Sequence, residues 1–410
     1  MRLSQLFTKT TKEVPADEEA INAKLLIRGG FISKVMAGVY NYLPLGFRVL
    51  NKINGIIREE MNATGAEELH MSVLQNKETW EQTGRWDSAK DVMYQFEDAS
   101  GKKVGLGWTH EEPLTAVAKH FISSYRDLPK KVYQIQTKFR NEPRARSGLL
   151  RGREFLMKDL YSFHTDENDL NEYYERVAQA YANIFHRAGV KARRTLASGG
   201  LFSKFSDEFQ VLSEVGEDLV YYCVDCEYTA NKDVAQELNL KGKCPKCGGL
   251  IKEDKGIEVG NIFKLGTRFS EAFDLRFTDA EGSKKPVIMA SYGIGPGRLL
   301  ATVVETYHDD NGIIWPESIA PFKVYLVSLD GAKKEGDEVY EKILHNGTEV
   351  LYDDRDDKTA GEKFADADLI GCPIRLVVSR KTLQKNSVEV KRRGDEKAKL
   401  VPLTKYVGLL

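Results

Sequence analysis

An alternating stretch at residues 132–142, VYQIQTKFRNE, constrains the fold of this chain more than any other feature. Its odd-numbered positions are mostly apolar, and its even-numbered positions are polar, namely Gln134, Gln136, Lys138, Arg140 and Glu142. A period of two is that of a β-strand with unlike faces. After a loop, the run REFLMKDLYSFH predicts a return strand. The two runs therefore predict an antiparallel hairpin with one polar face.

The loop of this hairpin is rich in arginine. Residues 139–155, FRNEPRARSGLLRGREF, contain Arg140, Arg144, Arg146, Arg151 and Arg153. The whole chain has 60 Lys+Arg against 61 Asp+Glu, a net charge of −1, so any basic surface must be local. A row of charges is usually solvated, but the apolar return strand and the mixture of Gln, Arg and Glu favour a binding site.

Length and composition set broad limits. A chain of 410 residues exceeds the usual size of one domain, so two or three domains are expected. No apolar run reaches the roughly 20 residues that span a bilayer. The first residues lack the apolar segment of a secretory signal, so we expect a cytoplasmic protein without a membrane partner. Five cysteines in a chain of this length argue against a disulfide framework.

Periodicity outlines the other elements. Residues 42–63 and 168–188 place apolar side chains at helical spacing and predict two amphipathic helices. After Phe322, the runs FKVYLVS, TEVLYDD, IRLVVS and SVEVKRR are strand candidates, and helical stretches near 332–345 and 358–370 separate the first three. This alternation predicts a small α/β domain with a largely parallel sheet, joined to the rest by a linker at 311–321.

Four of the cysteines form two CxxC pairs, Cys223 with Cys226 and Cys244 with Cys247. Two such knuckles at this separation are typical of a zinc ribbon. Four thiolates leave no open position on a tetrahedral Zn²⁺, so the predicted site is structural. The alternative is an incomplete or redox-sensitive cluster.

A glycine-rich turn follows an apolar run at 287–300, VIMASYGIGPGRLL. Arg298 stands where a dinucleotide fingerprint would need glycine, and the Lys-Ser/Thr pair of a P-loop is missing. Either this is a structural turn, or it lets a ligand approach the backbone beside a guanidinium suited to phosphate oxygens.

Together, the helix at 42–63 with its following strand, the FRNE-loop-RxxxF hairpin and the strand-GIGPGR-helix resemble the three motifs of class II aminoacyl-tRNA synthetases. THEE at 109–112, EFLMKDLYSFHT at 154–165, GIEVGNIFKLGT at 256–267 and DDRDDKTAGEKFADADLIGCP at 353–373 are similar to the bacterial prolyl-tRNA synthetases, and the resemblance runs nearly end to end. It implies an α+β catalytic domain with an antiparallel sheet flanked by helices, and a small α/β anticodon-binding domain.

The implied boundaries are 1–222 and 256–318 for the catalytic domain, 223–255 for the zinc-ribbon insertion and 319–410 for the anticodon-binding domain. The implied reaction joins ATP and L-proline to prolyl-adenylate and then transfers the prolyl group to tRNA-Pro. ATP with Mg²⁺, a structural Zn²⁺ and a homodimer are expected.

The resemblance also implies roles for individual residues. Arg140 and Arg298 would be catalytic, with Arg140 on the ATP α-phosphate and the proline carboxylate, and Arg298 on the γ-phosphate. The other ATP contacts would be Glu142 to the adenine amino group, Arg151 to the outer phosphates, Phe155 by stacking, and Glu258 to Mg²⁺ or ATP. Thr109 and Glu111 would bind the proline ammonium group. His164 would either lie near the proline ring or be a satisfied histidine at a strand end.

The chain departs from the family pattern in three places. Asp207 and Asn261 stand where His is common, and the Asp207 change puts one substrate contact in doubt. The short segment 223–255 replaces the large domain that hydrolyses alanyl-tRNA in many bacterial relatives, so we expect no editing by this chain itself.

Alternative functions are another class II synthetase, such as the threonyl or glycyl enzyme, and a non-catalytic tRNA-binding or regulatory paralogue. The second would usually have lost the motif arginines, which this chain retains. Candidate tRNA contacts, unless they only form a solvated face, are Arg375, Arg380, Lys381, Lys385, Lys391, Arg392 and Arg393.

Overall fold

The computed structural model describes residues 1–13, 18–145, 147–198, 205–240 and 242–410. Of the loop arginines, Arg146 lies outside the described residues. The chain divides into two compact units. The first comprises Met1–Met36, Tyr40–Ile53 and Val303–Leu410, and the second comprises Ala37–Val39 and Asn54–Thr302.

The elements are as follows. The α-helices are α1 (Ile21–Arg28), α2 (Pro44–Ala63), α3 (Lys77–Glu81), α4 (Arg85–Ser88), α5 (Glu111–Ala118), α6 (Glu167–Arg187), α7 (Lys232–Glu237), α8 (Arg268–Ala272), α9 (Pro296–Thr306), α10 (Lys333–His345), α11 (Ala360–Ile370) and α12 (Arg380–Leu383). The strands are β1 (Ile32–Met36), β2 (Val39–Tyr42), β3 (Glu67–Glu68), β4 (Leu74–Asn76), β5 (Gln95–Glu97), β6 (Lys103–Leu106), β7 (Lys130–Phe139), β8 (Glu154–His164), β9 (Arg193–Ser198), β10 (Phe205–Leu212), β11 (Asp218–Cys223), β12 (Thr229–Asn231), β13 (Ile251–Gly266), β14 (Arg276–Thr278), β15 (Lys284–Pro286), β16 (Ile288–Ile294), β17 (His308–Asp309), β18 (Gly312–Ile313), β19 (Val324–Ser328), β20 (Val350–Asp353), β21 (Ile374–Val378), β22 (Ser387–Arg392) and β23 (Lys399–Pro402). The two predicted amphipathic helices are confirmed by α2 and α6.

A nine-stranded sheet forms the second unit, in the order β10-β9-β12-β11-β13-β16-β8-β7-β3. The central strands β13, β16, β8 and β7 pair antiparallel, which confirms the predicted hairpin of β7 and β8. Strand β13 pairs with β11 over residues 251–256, with β10 over 256–262 and with β16 over 260–266. Because β10 also pairs with β9, the strands β10, β9, β12, β11 and β13 close into a ring.

The two faces of β8 have different neighbours. Helix α6 covers one face with buried side chains such as Tyr173, Val177 and Tyr181, and the side chain of Asp166 caps its first turn. Burial of each large side chain stabilises the fold by about 1.5–3 kcal/mol. The even-numbered Lys158, Ser162 and His164 lie on this face, because successive strand residues point to opposite sides. The odd-numbered residues 155–161 therefore face away from α6.

A five-stranded sheet dominates the first unit, in the order β20-β19-β21-β22-β23. Strands β20, β19 and β21 are parallel, as the sequence predicts, and β19 is buried along its whole length. The prediction of a largely parallel sheet is wrong for β22 and β23, which pair antiparallel. Only the four-residue α12 separates β21 from β22, whereas a parallel crossover needs a dozen or more residues.

The first ten residues contact β20, an outer strand of this sheet, and the neighbouring helices α10 and α11. Arg2 pairs with Tyr352 as a parallel bridge, and its guanidinium lies 2.7 Å from Asp337 Oδ1. The Ser4 hydroxyl donates to Asp354 at 2.8 Å, and the Thr10 hydroxyl donates to Asp366 at 2.6 Å. This N-terminal strap, residues 1–10, satisfies polar groups along a strand edge that would otherwise be open to pairing with other chains.

The predicted tRNA-contacting side chains of this unit divide into two groups. Arg393 is buried and bonds both carboxylate oxygens of Asp309, and Arg375 pairs with Asp368 and packs on the Phe364 ring. Both contacts hold the unit together, so these two arginines are poorly placed for tRNA. Of the other five, Lys391 is half-buried, and Arg380, Lys381, Lys385 and Arg392 are exposed.

Candidate active site

A cleft of about 500 Å³ opens on the sheet of the second unit. Eight of the nine residues predicted for ATP or proline line it: Thr109, Glu111, Arg140, Glu142, Arg151, Phe155, Glu258 and Arg298. They come from four separate segments, namely α5 and the residue pair before it, the hairpin of β7 and β8, strand β13, and the start of α9. The sheet therefore assembles one pocket from residues far apart in sequence.

Arg140 provides a cation inside this cleft. Strand β7 ends at Phe139, one residue earlier than Arg140, but the Arg140 amide still donates to the Arg153 carbonyl at 2.8 Å. Its guanidinium lies 5.4 Å from the Phe155 ring centre. Its Nε has no hydrogen-bond partner in the described part of the chain. Burial and the nearby Arg298 lower the pKa of Arg140, so an anion bound here would relieve an unfavourable environment.

Glu142 and Arg151 form an ion pair across the mouth of the hairpin. Arg151 Nε lies 2.9 Å from Glu142 Oε2, and Arg151 Nη1 lies 2.5 Å from Glu217 Oε2. The Arg144 amide donates to Glu142 Oε1 at 3.0 Å. Although partial burial opposes the shift, the Arg144 amide and the Arg151 side chain lower the pKa of Glu142. The carboxylate is therefore held ionised as a hydrogen-bond acceptor.

Arg298 enters from the opposite wall, where the turn after β16 leads into α9. Its Nε donates to the Leu150 carbonyl at 2.9 Å, and its Nη1 lies 3.1 Å from Glu258 Oε2. Asn261 donates to the other oxygen of Glu258 at 3.0 Å. The glycine-rich turn thus delivers a guanidinium to the cleft, as the binding interpretation of that motif predicts.

The acidic end of the cleft holds Glu111. The Thr109 hydroxyl donates to Glu111 Oε2 at 2.6 Å, and Arg85 Nη1 lies 3.4 Å from the same oxygen. Arg85 also bonds the fully buried Glu112 at 3.0 Å. Burial raises the pKa of Glu112 to about 7, although Arg85 opposes the shift. Two neighbouring carboxylates thus share one guanidinium, which leaves this end of the cleft suited to a further cation.

Sequence reasoning missed several members of the cleft. Arg85 and Asp159 line it, and Asp159 is held by Lys138 Nζ at 2.9 Å and by the Tyr161 hydroxyl at 3.1 Å. Trp108 also lines it, with its ring 4.6 Å from the Arg85 guanidinium. The alternation of β8 could have revealed Asp159 and Tyr161, because both share the parity of Phe155. Nothing local marks Arg85.

His164 is a correction. The sequence offered it as a neighbour of the proline ring, but it does not line the cleft. Its ring is fully buried on the α6 face of β8, 2.6 Å from Asp169 Oδ2 and against Tyr173. The physical reason is strand parity, since His164 points to the side opposite Phe155, Asp159 and Tyr161. The alternative interpretation, a histidine satisfied at a strand end, fits this position.

The two departures from the family pattern have different environments. Asp207 does not line the cleft, and both of its oxygens bond the Arg194 guanidinium at 3.0 Å. Its Oδ2 also accepts from the Tyr174 hydroxyl at 2.9 Å. Asn261 lines the cleft and orients Glu258. The carboxylate that Asp207 introduces in place of histidine is therefore neutralised by the Arg194 guanidinium.

The four paired cysteines converge. Their sulfur atoms all lie within 4.8 Å of one another, with Cys223 to Cys247 at 3.5 Å and Cys226 to Cys244 at 3.6 Å. Four ligands about 2.3 Å from a tetrahedral Zn²⁺ would be roughly 3.8 Å apart, so the spacing fits that ion. Backbone amides donate to three of the sulfurs. Although desolvation raises it, the amides of residues 247 and 246 lower the pKa of Cys244 to about 7.

Comparison with known proteins extends the sequence and geometric observations. Residues 94–307 match the tRNA synthetase class II core domain (G, H, P, S and T), and residues 323–410 match an anticodon-binding domain. A proline–tRNA ligase of Dehalococcoides mccartyi is 35% identical over 98% of this chain and 97% of its own length. The chain belongs to the proline–tRNA ligase family. A family member from Moorella thermoacetica is 34% identical over 98% of the chain and 97% of its own length.

Solved structures show the same fold. Prolyl-tRNA synthetase of Cryptosporidium parvum, complexed with L-proline and AMP, has a TM-score of 0.77 at 18% identity, covering 95% of this chain and 73% of its own. The Giardia lamblia enzyme in complex with prolyl-adenylate has a TM-score of 0.78 at 19% identity, covering 94% and 75%. The predicted family and fold class are confirmed, and the chain is an aminoacyl-tRNA ligase.

Length distinguishes this member from its relatives. The alignment with the Dehalococcoides protein runs over 553 positions, whereas this chain has 410 residues, so the relative carries residues that this chain lacks. Among the described helices, none is both long and apolar enough to cross a membrane.

Proposed function

We propose that the cleft of the second unit activates L-proline with ATP, and that the chain then transfers the prolyl group to tRNA-Pro. One observation carries this proposal: Arg140, which has no acidic partner among the described residues, and the Thr109–Glu111 pair line the same cleft. An amino acid needs a cation for its carboxylate and an anion for its ammonium group. ATP needs further cations for its phosphates, and Arg151 and Arg298 line two walls of the same cleft.

The proposed first step is an in-line displacement at phosphorus. A proline carboxylate oxygen attacks the α-phosphorus of ATP, and the bond to the pyrophosphate oxygen breaks. Arg140 would hold both anions together and stabilise the charge that develops on the α-phosphoryl oxygens. Glu142 would accept from the adenine amino group, and Phe155 would stack on the ring. Arg151 and Arg298 would neutralise the leaving pyrophosphate.

Proline would be oriented by its secondary ammonium group. Glu111 would accept from it, while Thr109 holds the carboxylate of Glu111 in place through its hydroxyl. Arg140 would hold the proline carboxylate at the other end of the substrate. His164 has no part in this proposal, because it lies on the opposite face of β8.

Mg²⁺ would fit beside Glu258. Burial and the charge of Glu258 raise the pKa of Glu208 to about 8, and burial raises that of Asp218. Carboxylates crowded in this way are the ligands that Mg²⁺ prefers, and the ion would offset their repulsion and part of the phosphate charge. Zn²⁺ would be held by the four paired cysteines as a structural ion.

Transfer to tRNA would involve the anticodon-binding domain. We propose residues 1–222 and 256–318 as the catalytic domain, 223–255 as the four-cysteine insertion and 319–410 as the anticodon-binding domain. The family match at 323–410 supports the last of these. The compact units divide the chain differently, since Met1–Met36, Tyr40–Ile53 and residues 303–318 fall in the unit that contains 319–410. The exposed Arg380, Lys381, Lys385 and Arg392 would contact tRNA phosphates.

The assembly would be a homodimer in the cytoplasm, where the family serves translation. Helix α2, which leaves Phe47 half exposed, would line the interface. Light scattering after gel filtration tests the dimer, and cell fractionation tests the location.

The chain would not edit mischarged tRNA. Its relatives carry residues that it lacks, and a proline pocket rejects alanine by only about 1–3 kcal/mol, the usual limit for a missing methylene or two. Preformed alanyl-tRNA should therefore survive incubation with the purified enzyme. Rapid hydrolysis would contradict this part of the proposal.

ATP–pyrophosphate exchange tests the main proposal, with proline, alanine and threonine compared side by side. Exchange should be strongest with proline and should fall by about 10²–10³ in Arg140→Ala, the usual loss for a group that stabilises transition-state charge. An unchanged rate in Arg140→Ala, or exchange that prefers threonine, would refute it.

A further inference from the structure

Two of the described arginines in the 139–155 stretch, Arg144 and Arg153, have no role in the proposed chemistry. Arg153 does not line the cleft. In the described part of the chain, no carboxylate lies within ion-pair distance of it. Its guanidinium instead donates to two backbone carbonyls, which is an unusual use of a charge at a half-buried position.

The first of these carbonyls belongs to Glu142. Arg153 Nε donates to the Glu142 oxygen at 2.9 Å. The main chain of Arg153 ties the same turn to β8, because its carbonyl accepts from the Arg140 amide at 2.8 Å. Arg153 thus bonds the backbone of two residues proposed to bind ATP, Arg140 and Glu142.

The second carbonyl belongs to the tip of the β1–β2 hairpin. Arg153 Nη1 lies 3.4 Å from the Ala37 oxygen, and the Arg153 amide donates to the Gly38 oxygen at 2.7 Å. Gly38 has φ of +74°, and a Cβ there would lie 2.7 Å from the Ala145 Cβ. The tip therefore packs directly on the loop that follows Glu142. Only a glycine fits this contact without strain.

We propose that Arg153 is a positioning residue for the nucleotide. Its side chain clamps the Glu142 turn against residues Ala37–Val39, so that the Glu142 carboxylate meets the adenine amino group. The inference rests on the proposed function. The side chain of Arg153 holds Glu142, whereas the main chain of Arg153 holds Arg140. A substitution at Arg153 should therefore affect the position of Glu142 and leave that of Arg140 unchanged.

The test compares ATP with purine riboside triphosphate, which lacks the adenine amino group, in proline-dependent pyrophosphate exchange. The wild-type enzyme should prefer ATP by about tenfold or more, the effect of one hydrogen bond to a charged acceptor. Arg153→Ala should raise the KM for ATP by about tenfold and narrow this preference. The KM for proline and the kcat should change less than about threefold, since Thr109, Glu111 and Arg140 are left in place. Arg153→Lys, which keeps one donor, should recover part of the preference.

Arg126→Ala is the matched control, because Arg126 is an exposed arginine outside the cleft whose side chain hydrogen-bonds the Tyr125 hydroxyl and lies near its ring. Its kinetics should equal those of the wild type. If the preference for ATP is unchanged in Arg153→Ala, the inference is overturned. The proposed function would still stand if the wild-type enzyme catalyses exchange and Arg140→Ala loses this activity. If Arg153→Ala does not fold, Gly38→Ala decides, since its methyl group would press on the same loop. An unchanged ATP preference in that variant would also overturn the inference.

Discussion

Replacing Arg85 by alanine tests the charge balance of the proposed proline pocket. The guanidinium lies 3.0 Å from Glu112 and 3.4 Å from Glu111, and all three side chains are at least nine-tenths buried. Removing it leaves two adjacent buried carboxylates with no cation between them. Loss of one partner of a buried pair costs about 3–5 kcal/mol. Lost packing against Trp108 and Trp80 adds to this cost.

Urea unfolding followed by tryptophan fluorescence measures the effect, because Trp80 and Trp108 report on this site. Arg58→Ala is a suitable control: Arg58 also pairs with a glutamate, Glu68 at 2.9 Å, but at the surface. Its substitution should cost less than about 1 kcal/mol. A loss in Arg85→Ala no larger than in Arg58→Ala would refute the argument from burial.

The pH dependence gives a second check. The pKa of Glu112 is raised from 4.5 to about 7 in the folded state. Its contribution to the free energy of unfolding is therefore fully present below pH 4.5 and is lost as the pH rises through 7. Without Arg85, the Glu112 carboxyl group resists ionisation more strongly. The free energy of unfolding of Arg85→Ala should therefore be closest to that of the wild type near pH 5 and lowest relative to it above pH 7. Adding Glu112→Gln should restore part of the lost stability.

Three further predictions concern other parts of the molecule. His164→Ala should leave the KM for proline within about twofold of the wild type while lowering the melting temperature, because the ring is buried on the α6 face; a KM raised tenfold with normal stability would contradict that placement. Cys244→Ser should reduce bound zinc, measured by atomic absorption, from about one ion per chain to almost none, whereas Cys372→Ser should retain it; equal zinc content in both variants would exclude the four-cysteine site. Arg393 lowers the pKa of Asp309 from 3.8 to about 2, so this pair stabilises the fold above pH 4 and loses that contribution as the pH falls toward 2. The stability difference between the wild type and Arg393→Ala should shrink over that range in urea titrations, and a constant difference would show that the ion pair is not its source.

Local patterns predicted the parts of the site that local geometry controls. The alternation at 132–142 gave the hairpin, and the two CxxC pairs gave the sulfur cluster, because each depends on residues close in sequence. The resemblance to class II synthetases, which this hairpin helps to carry, added Arg140, Glu142, Arg151 and Phe155 as site residues. The alternative that placed His164 near the proline ring was avoidable, since the parity of His164 differs from that of Phe155 and a strand turns every second residue to the other face.

Residues brought together by tertiary packing could not be predicted in this way. Arg85 reaches Glu112 from a short helix 27 positions earlier, and no periodicity marks it. Lys138 looked like one more charge on a polar strand face, yet it is fully buried against Asp159. The direction of β22 depended on the length of one connection rather than on the composition of the strand.

The N-terminal strap has a consequence for the order of synthesis. Ser4 and its partner Asp354 are 350 positions apart, so the first residues leave the ribosome long before their binding surface exists. At about 5–20 residues per second, the wait is roughly 20–70 s. During that time the strap must remain uncommitted. Its docking is thus among the last events of folding, and it reports that the C-terminal sheet has been completed.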